Sequence, residues 1–167
     1  MHKLPKSANT TNTNQILKGR KKMRVKDCMC ENVIWATKDN TVCEVAKLMN
    51  ENHIGSIPVC DENQNIIGIV TDRDIILRSI ACEKDIKQTK VSDIMTTDVI
   101  RTSKDTDAAW VADIMSKNQI RRIPVVENEK LVGIVSLGDL ARNKDFPNSQ
   151  VAECVCNICN GSNKNAE

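Results

Sequence analysis

Apolar and polar positions alternate along this chain in a pattern that is written twice. Val33-Ile34 reads as a short strand, and Val42, Val45, Ala46, Leu48 and Met49 follow at the three-and-four spacing of a helix face. Asp39 or Thr41 stands where that helix would be capped. Ile57-Pro58-Val59-Cys60 reads as a strand whose proline points to an edge or a strand start. Asp61 to Asn65 has the composition of a turn, Ile66 to Val70 reads as an apolar strand, and Asp72 to Ser79 opens a second helix. The series then recurs. It runs through a strand at Val99, a helix over Thr106–Asn118, a strand from Ile123, a tight turn at Glu127-Asn128-Glu129, a strand over Leu131–Val135 and a helix from Leu137.

The recurrence extends to residue identity. Val25-Lys26-Asp27-Cys28-Met29 returns 66 residues on as Val91-Ser92-Asp93-Ile94-Met95. The same shift carries Val45-Ala46 onto Val111-Ala112, Met49 onto Met115 and Ile57-Pro58-Val59 onto Ile123-Pro124-Val125. One residue drops out of the turn, and Gly68-Ile69-Val70-Thr71-Asp72-Arg73-Asp74 matches Gly133-Ile134-Val135-Ser136-Leu137-Gly138-Asp139. The chain therefore divides into a basic, unpatterned tail over 1–22, expected to be disordered, repeat one over 23–82, a linker over 83–90, repeat two over 91–145, and a cysteine-containing tail over 146–167. Its last stretch, from Asn157, reads as a frayed end. Translation from Met23 would also yield both repeats. Each unit has the order β-α-β-β-α, an α/β class, and buries too little to stand alone. The two are expected to pack with their sheets facing.

Composition narrows the chemistry. Only 2% of the 167 residues are aromatic, so the core has to be aliphatic and a base has few rings to stack on. The net charge of +2 conceals a basic tail (Lys3, Lys6, Lys18, Arg20, Lys21 and Lys22) ahead of a mildly acidic body, which argues against a duplex-DNA face. No apolar run approaches the 18 residues or so of a membrane span, and the first segment lacks the apolar core of a secretory signal. A cytoplasmic protein with reduced thiols is the expectation.

The candidate chemistry lies in Thr71-Asp72-Arg73-Asp74 and Ser136-Leu137-Gly138-Asp139. Each sets a hydroxyl at a helix start with a carboxylate three residues later. Backbone N–H groups and the hydroxyl there can donate to a phosphate, and the carboxylate can accept from two ribose hydroxyls. The same spacing is a helix capping box, which needs no ligand. Nothing reads as catalytic: His2 and His53 have no triad-like neighbours, and no zincin or Walker motif occurs. Cys154, Cys156 and Cys159 form a C-x-C-x-x-C run, which offers thiols to a soft metal or to redox chemistry but lacks the paired spacing of a zinc ribbon.

The two G-I-V-[TS]-x-x-D segments, the two I-P-V strands and the two V-x-D-x-M segments together resemble a tandem pair of CBS domains, the module named after cystathionine β-synthase. Gln119 to Pro124 and Leu131 to Leu140 are similar, as whole strings, to small stand-alone bacterial members. The resemblance covers Val25 to about Asn143. It implies a pseudo-two-fold pair that acts as a regulatory sensor, not an enzyme, with no required cofactor. An adenosine nucleotide (AMP, ADP, ATP or an S-adenosylmethionine-like compound) would be the regulatory ligand, held in two clefts. One cleft would use Ile134, Ser136, Gly138 and Asp139 with Met29, Val33, Ile34, Ile54, Gly55 and Ser56. The other would use Ile69, Thr71, Arg73 and Asp74 with Met95, Val99, Ile100, Ile120, Arg121 and Arg122. Arg121-Arg122 stand where repeat one has Gly55-Ser56, so phosphate charge is expected to be read mainly around repeat two. The resemblance also implies a homodimeric disc and an unidentified regulated protein. A ligand-free oligomerising scaffold and a metal or redox sensor run by the tail cysteines are the competing functions.

Overall fold

The computed structural model describes residues 22–161. The expectations for the tail before Lys22 and for the residues after Gly161 lie outside the described residues. Repeat one consists of β1 (Ala36–Thr37), α1 (Val42–Glu51), β2 (Ser56–Cys60), β3 (Ile66–Thr71) and α2 (Asp72–Arg78). Repeat two has α3 (Ala108–Asn118), β4 (Arg122–Glu127), β5 (Lys130–Ser136) and α4 (Leu137–Arg142), followed by α5 (Asn148–Gly161).

The first strand of each repeat is displaced from where apolarity put it. Val33-Ile34 and Val99 are not in strands. The pairing begins at Ala36, which lies parallel to Val59, and its counterpart in repeat two is the single bridge between Thr102 and Val125. The apolar pairs upstream instead line cavities between the repeats, so their hydrophobicity serves a cleft rather than a sheet. Thr41, not Asp39, caps α1: its Oγ1 accepts from the Glu44 N–H at 3.2 Å, and Glu44 Oε2 accepts from the Thr41 N–H at 2.9 Å. Helix α3 begins at Ala108 rather than Thr106, because the Asp107 carboxylate caps it through the Ala109 N–H at 2.9 Å.

Pro58 sits inside the central strand of its sheet, not at an edge or a strand start, Pro124 sits inside β4 of the two-stranded sheet, and the hydrogen-bond pattern explains why both are tolerated. Pro124 lies opposite Ile134, but Ile134 turns both backbone groups away to Cys30, each bond 2.9 Å. No N–H is therefore asked of the proline on that side. On its other side Pro124 offers its carbonyl alone, to the Thr102 N–H at 3.0 Å. Ile69 treats Thr96 as Ile134 treats Cys30, so Pro58 is spared in the same way.

Those bridges belong to the device that joins the repeats. The segment opening each repeat crosses to the other one. Val25 donates its N–H to the Thr106 carbonyl at 2.9 Å and buries its side chain fully in the repeat-two core. Val91 does the same to the Asn40 carbonyl at 2.8 Å and the repeat-one core. Each exchanged valine contributes roughly 1.5–3 kcal/mol of burial to a core that its own repeat does not own. The exchange also explains the two strand glycines. Met29 lies over Gly133 and Met95 over Gly68, where a Cβ would run into the methionine side chain. The result is a pseudo-two-fold pair with two aliphatic cores whose only buried aromatic ring is Phe146.

The end expected to fray from Asn157 is helical through Gly161, as part of α5. Cys154 is buried against α3, its thiol donating to the Ala112 carbonyl at 3.3 Å, and the Asn157 amide donates to Ser116 Oγ at 2.9 Å. Val151 and Ile158 pack on the same core.

Candidate ligand clefts between the repeats

Two cavities open where the strand starts of one repeat meet those of the other. The cleft beneath α2 has a volume of 340 Å³ and the cleft beneath α4 one of 260 Å³. The first lies within the usual range of small-molecule sites and the second just below it.

Ile69, Thr71, Arg73 and Asp74 line the α2 cleft together with Val99, Ile100, Ile120, Arg121 and Arg122 from the other repeat. Met95, assigned to the same group, is engaged over Gly68 and does not line it. Ile134, Ser136 and Asp139 line the α4 cleft with Val33, Ile34, Ile54 and Ser56. Met29 is spent over Gly133 and Gly138 lies outside the lining. Gly55 belongs to the opposite cleft from the one expected. The pairing of Ser56 with Thr71, and the 3.1 Å bond from the Asp72 N–H to the Gly55 carbonyl, hold it at the start of α2. The cleft linings also include Asp72, Thr96, Asp98 and Gln119 on one side, and Cys30, Asn32 and Arg142 on the other. Asp72 occupies a variable position of the repeated motif, Gln119 opens the Gln119–Pro124 string, and the others lie outside the motifs, so the repeat alone does not mark them as cleft residues.

Both [TS]-x-x-D segments form complete capping boxes. Thr71 Oγ1 accepts from the Asp74 N–H at 3.1 Å, while Asp74 Oδ2 accepts from the Thr71 N–H at 2.9 Å and from its hydroxyl at 2.7 Å. Ser136 and Asp139 repeat this at 3.1, 2.8 and 2.6 Å. The second carboxylate oxygens face arginines: Asp74 Oδ1 meets Arg78 at 3.4 Å, and Asp139 Oδ1 pairs with Arg142. Capping and ligand binding thus draw on the same atoms, with one oxygen of each carboxylate turned to a solvated arginine.

Charge is distributed unevenly. The α2 cleft collects Arg73, Arg121 and Arg122 against Asp72, Asp74 and Asp98, and none of these three arginines is ion-paired among the described residues. In the α4 cleft Arg142 is already paired to Asp139, leaving Arg122 as the cation of that lining without an ion pair among the described residues. Between the clefts lies Ser56, 5% exposed, whose hydroxyl has no hydrogen-bond partner among the described residues. A buried hydroxyl left without a partner is unusual, and it marks a place where a polar group from outside would be stabilised.

The cysteines do not converge. The helix turns Cys154 into α3 while Cys156 and Cys159 face solvent, and among the described residues no three His, Cys, Asp or Glu side chains gather around one point. Burial, then the charges of Asp113 and Glu153, push the Cys154 thiol up. Burial, then Asp139 and Asp27, push Cys28 up to about 11. Both stay protonated near neutral pH, and with Cys154 turned into the core away from Cys156 and Cys159 the three candidate thiols do not face one point.

Among the described residues no helix is long and apolar enough to cross a membrane. The family model for the CBS domain matches residues 25–80 and 91–145. The CBS domain-containing protein YhcV of Bacillus subtilis is 38% identical over 134 residues, which cover 80% of this chain and 94% of the relative. Among solved structures, the CBS domain pair of protein MJ0100, in complex with 5′-methylthioadenosine and S-adenosyl-L-methionine, matches with a TM-score of 0.66 and 33% identity over 72% of this chain and 98% of that one. A hexameric CBS-CP12 protein from bloom-forming cyanobacteria matches with a TM-score of 0.68 and 29% identity, over 77% of this chain and 75% of that one. CBS pair proteins are regulatory modules. With two matched repeats, the crossed segments and both clefts in place, this chain belongs to the CBS-domain family.

Proposed function

We propose that this chain is a regulatory module that binds an adenosine-containing ligand in the clefts between its repeats and passes the occupancy to a partner protein. The observation that carries this reading is the composition of the α2 cleft. Aliphatic walls from Val99, Ile100, Ile120 and Ile69 suit the faces of a base in a protein with almost no aromatic rings. In the same lining the Asp74 carboxylate offers acceptors suited to ribose hydroxyls, and three guanidiniums without an ion pair among the described residues offer donors suited to a phosphate. The adenosine compounds bound by the MJ0100 pair support the class of ligand. Binding acts by population shift, since a ligand that fills a cleft between two repeats favours whichever arrangement of the repeats closes on it.

Two copies are proposed to pair. Ile76, Leu77 and Ile80 on and just after α2 are 54%, 50% and 55% exposed, and Trp110 on α3 is 53% exposed. The test of the ligand reading is a thermal-shift series with AMP, ATP, S-adenosylmethionine and adenosine against guanosine and GMP. Stabilisation by adenosine compounds and not by the guanosine pair is expected; equal or absent shifts in both series overturn the reading and leave the clefts as capped helix junctions.

A further inference from the structure

The two clefts are not separate rooms. Ser56 and Arg122 each line both of them, and they occupy equivalent positions, 66 residues apart, at the starts of β2 and β4. Ser56 is paired across its hairpin with Thr71, and Arg122 with Ser136, so each stands beside one helix cap while reaching the opposite cleft. The dividing wall therefore carries one cation where a symmetrical pair would carry two. Its other half is a buried serine hydroxyl with no hydrogen-bond partner among the described residues.

We propose that Arg122 is a phosphate contact shared by both clefts, so that the protein holds one phosphate-bearing adenosine ligand and one neutral adenosine ligand in preference to two phosphate-bearing ones. This rests on the adenosine reading above. A phosphate in either cleft engages the same guanidinium, and a second phosphate then meets a cation already neutralised and a like charge beyond the shared residues. The private cations set the order. Arg73 and Arg121 belong to the α2 cleft alone, whereas Arg142, private to the α4 cleft, is committed to Asp139. The phosphate ligand accordingly takes the α2 cleft. The α4 cleft, with Val33, Ile34 and Ile54 on its walls, is left for an adenosine compound without phosphate.

The experiment is a calorimetric titration of the full chain with AMP and with adenosine, in wild type and in two single-cleft variants. Val99→Trp fills the α2 cleft and Val33→Trp the α4 cleft; Ile100→Trp and Ile34→Trp form a second pair with the same readout if the first fails to fold. Unchanged adenosine affinity at the open cleft shows that a variant is folded. Adding Arg122→Ala should weaken AMP about tenfold or more in both single-cleft backgrounds, the scale of one lost charge-assisted bond, and leave adenosine alone. In wild type the product of the two AMP association constants should fall about tenfold or more below the product of the single-cleft constants, and Arg122→Ala should close that gap. If AMP and adenosine both fill two clefts but the products agree, or if Arg122→Ala acts in one background only, the shared contact is wrong and the adenosine reading stands. If neither compound binds any form of the protein, the adenosine reading itself fails.

Discussion

Asp74 performs a structural task that can be separated from the ligand task proposed for it. Its side chain is 14% exposed, and Oδ2 accepts from the backbone and the hydroxyl of Thr71 at 2.9 and 2.7 Å. Asp74→Ala removes the carboxylate half of a capping box, which costs about 1 kcal/mol. It also removes a half-exposed pair to Arg78, which adds no more than about 0.5 kcal/mol after solvent screening. For a chain of this size, a loss of about 1 kcal/mol lowers the melting temperature by roughly 2–4 °C. Asp74→Asn keeps an oxygen to accept from Thr71 and should stay within about 0.5 kcal/mol of wild type, so the cap largely survives. Two ribose hydroxyls need two acceptor oxygens, and the amide supplies only one. Asp74→Asn should therefore lose about ten- to a hundredfold in affinity for adenosine at the α2 cleft, the equivalent of about 1.5–3 kcal/mol in charge-assisted bonds. Chemical denaturation and calorimetry on the same preparations give the two numbers. If Asp74→Asn binds adenosine as wild type does, Asp74 caps a helix and does nothing more.

Three other outcomes follow from the geometry. Gly68→Ala drives a Cβ into the Met95 side chain and should destabilise by roughly 1–3 kcal/mol, most of which Met95→Ala should recover in a double-mutant cycle; additive losses would remove the close approach as the cause. Hydrogen bonds from Lys26 and then Arg24, with the charge of Lys26, hold the Asp105 carboxyl below its ordinary 3.8. A carboxyl lowered in the folded state adds stability that is present above pH 3.8 and is lost as pH falls through the lowered value, so the difference between wild type and Asp105→Asn should shrink in that window and stay flat above it. Light scattering at micromolar concentration should give a mass near twice 18.6 kDa, falling toward one chain in Ile76→Asp/Leu77→Asp; a monomeric wild type would remove the proposed pairing.

The repeat was legible because duplication copies identity as well as pattern, and a shift of 66 residues before the turn and 65 after it aligned strands, helices and caps together. The crossed segments were not legible. Val25 and Val91 announce burial, but nothing in their own repeat says that the core receiving them is the other one. The family resemblance implies Met29 and Met95 as cleft residues, but each lies instead over a strand glycine, Gly133 and Gly68, which leaves room for one methionine. The misplaced first strands have a similar origin, since an apolar pair looks alike whether it faces a sheet or a cavity. Helix α5 carried a signal that was passed over. Val151, Cys154, Val155 and Ile158 have helical spacing, but the cysteines were weighed as ligands rather than as the small hydrophobes that buried thiols are. Arg122 was assigned to one cleft because sequence order pairs it with Arg121, and only the meeting of the two strand starts brings it to both.

The most direct test of the clefts as adenosine sites is a calorimetric titration of adenosine and AMP into wild type and into Val33→Trp/Val99→Trp, which fills both cavities at once. We expect saturable binding to wild type and none to the folded double variant. Binding of unchanged affinity in the double variant, or no binding to wild type, would contradict the claim that the space between the repeats is where the ligand sits.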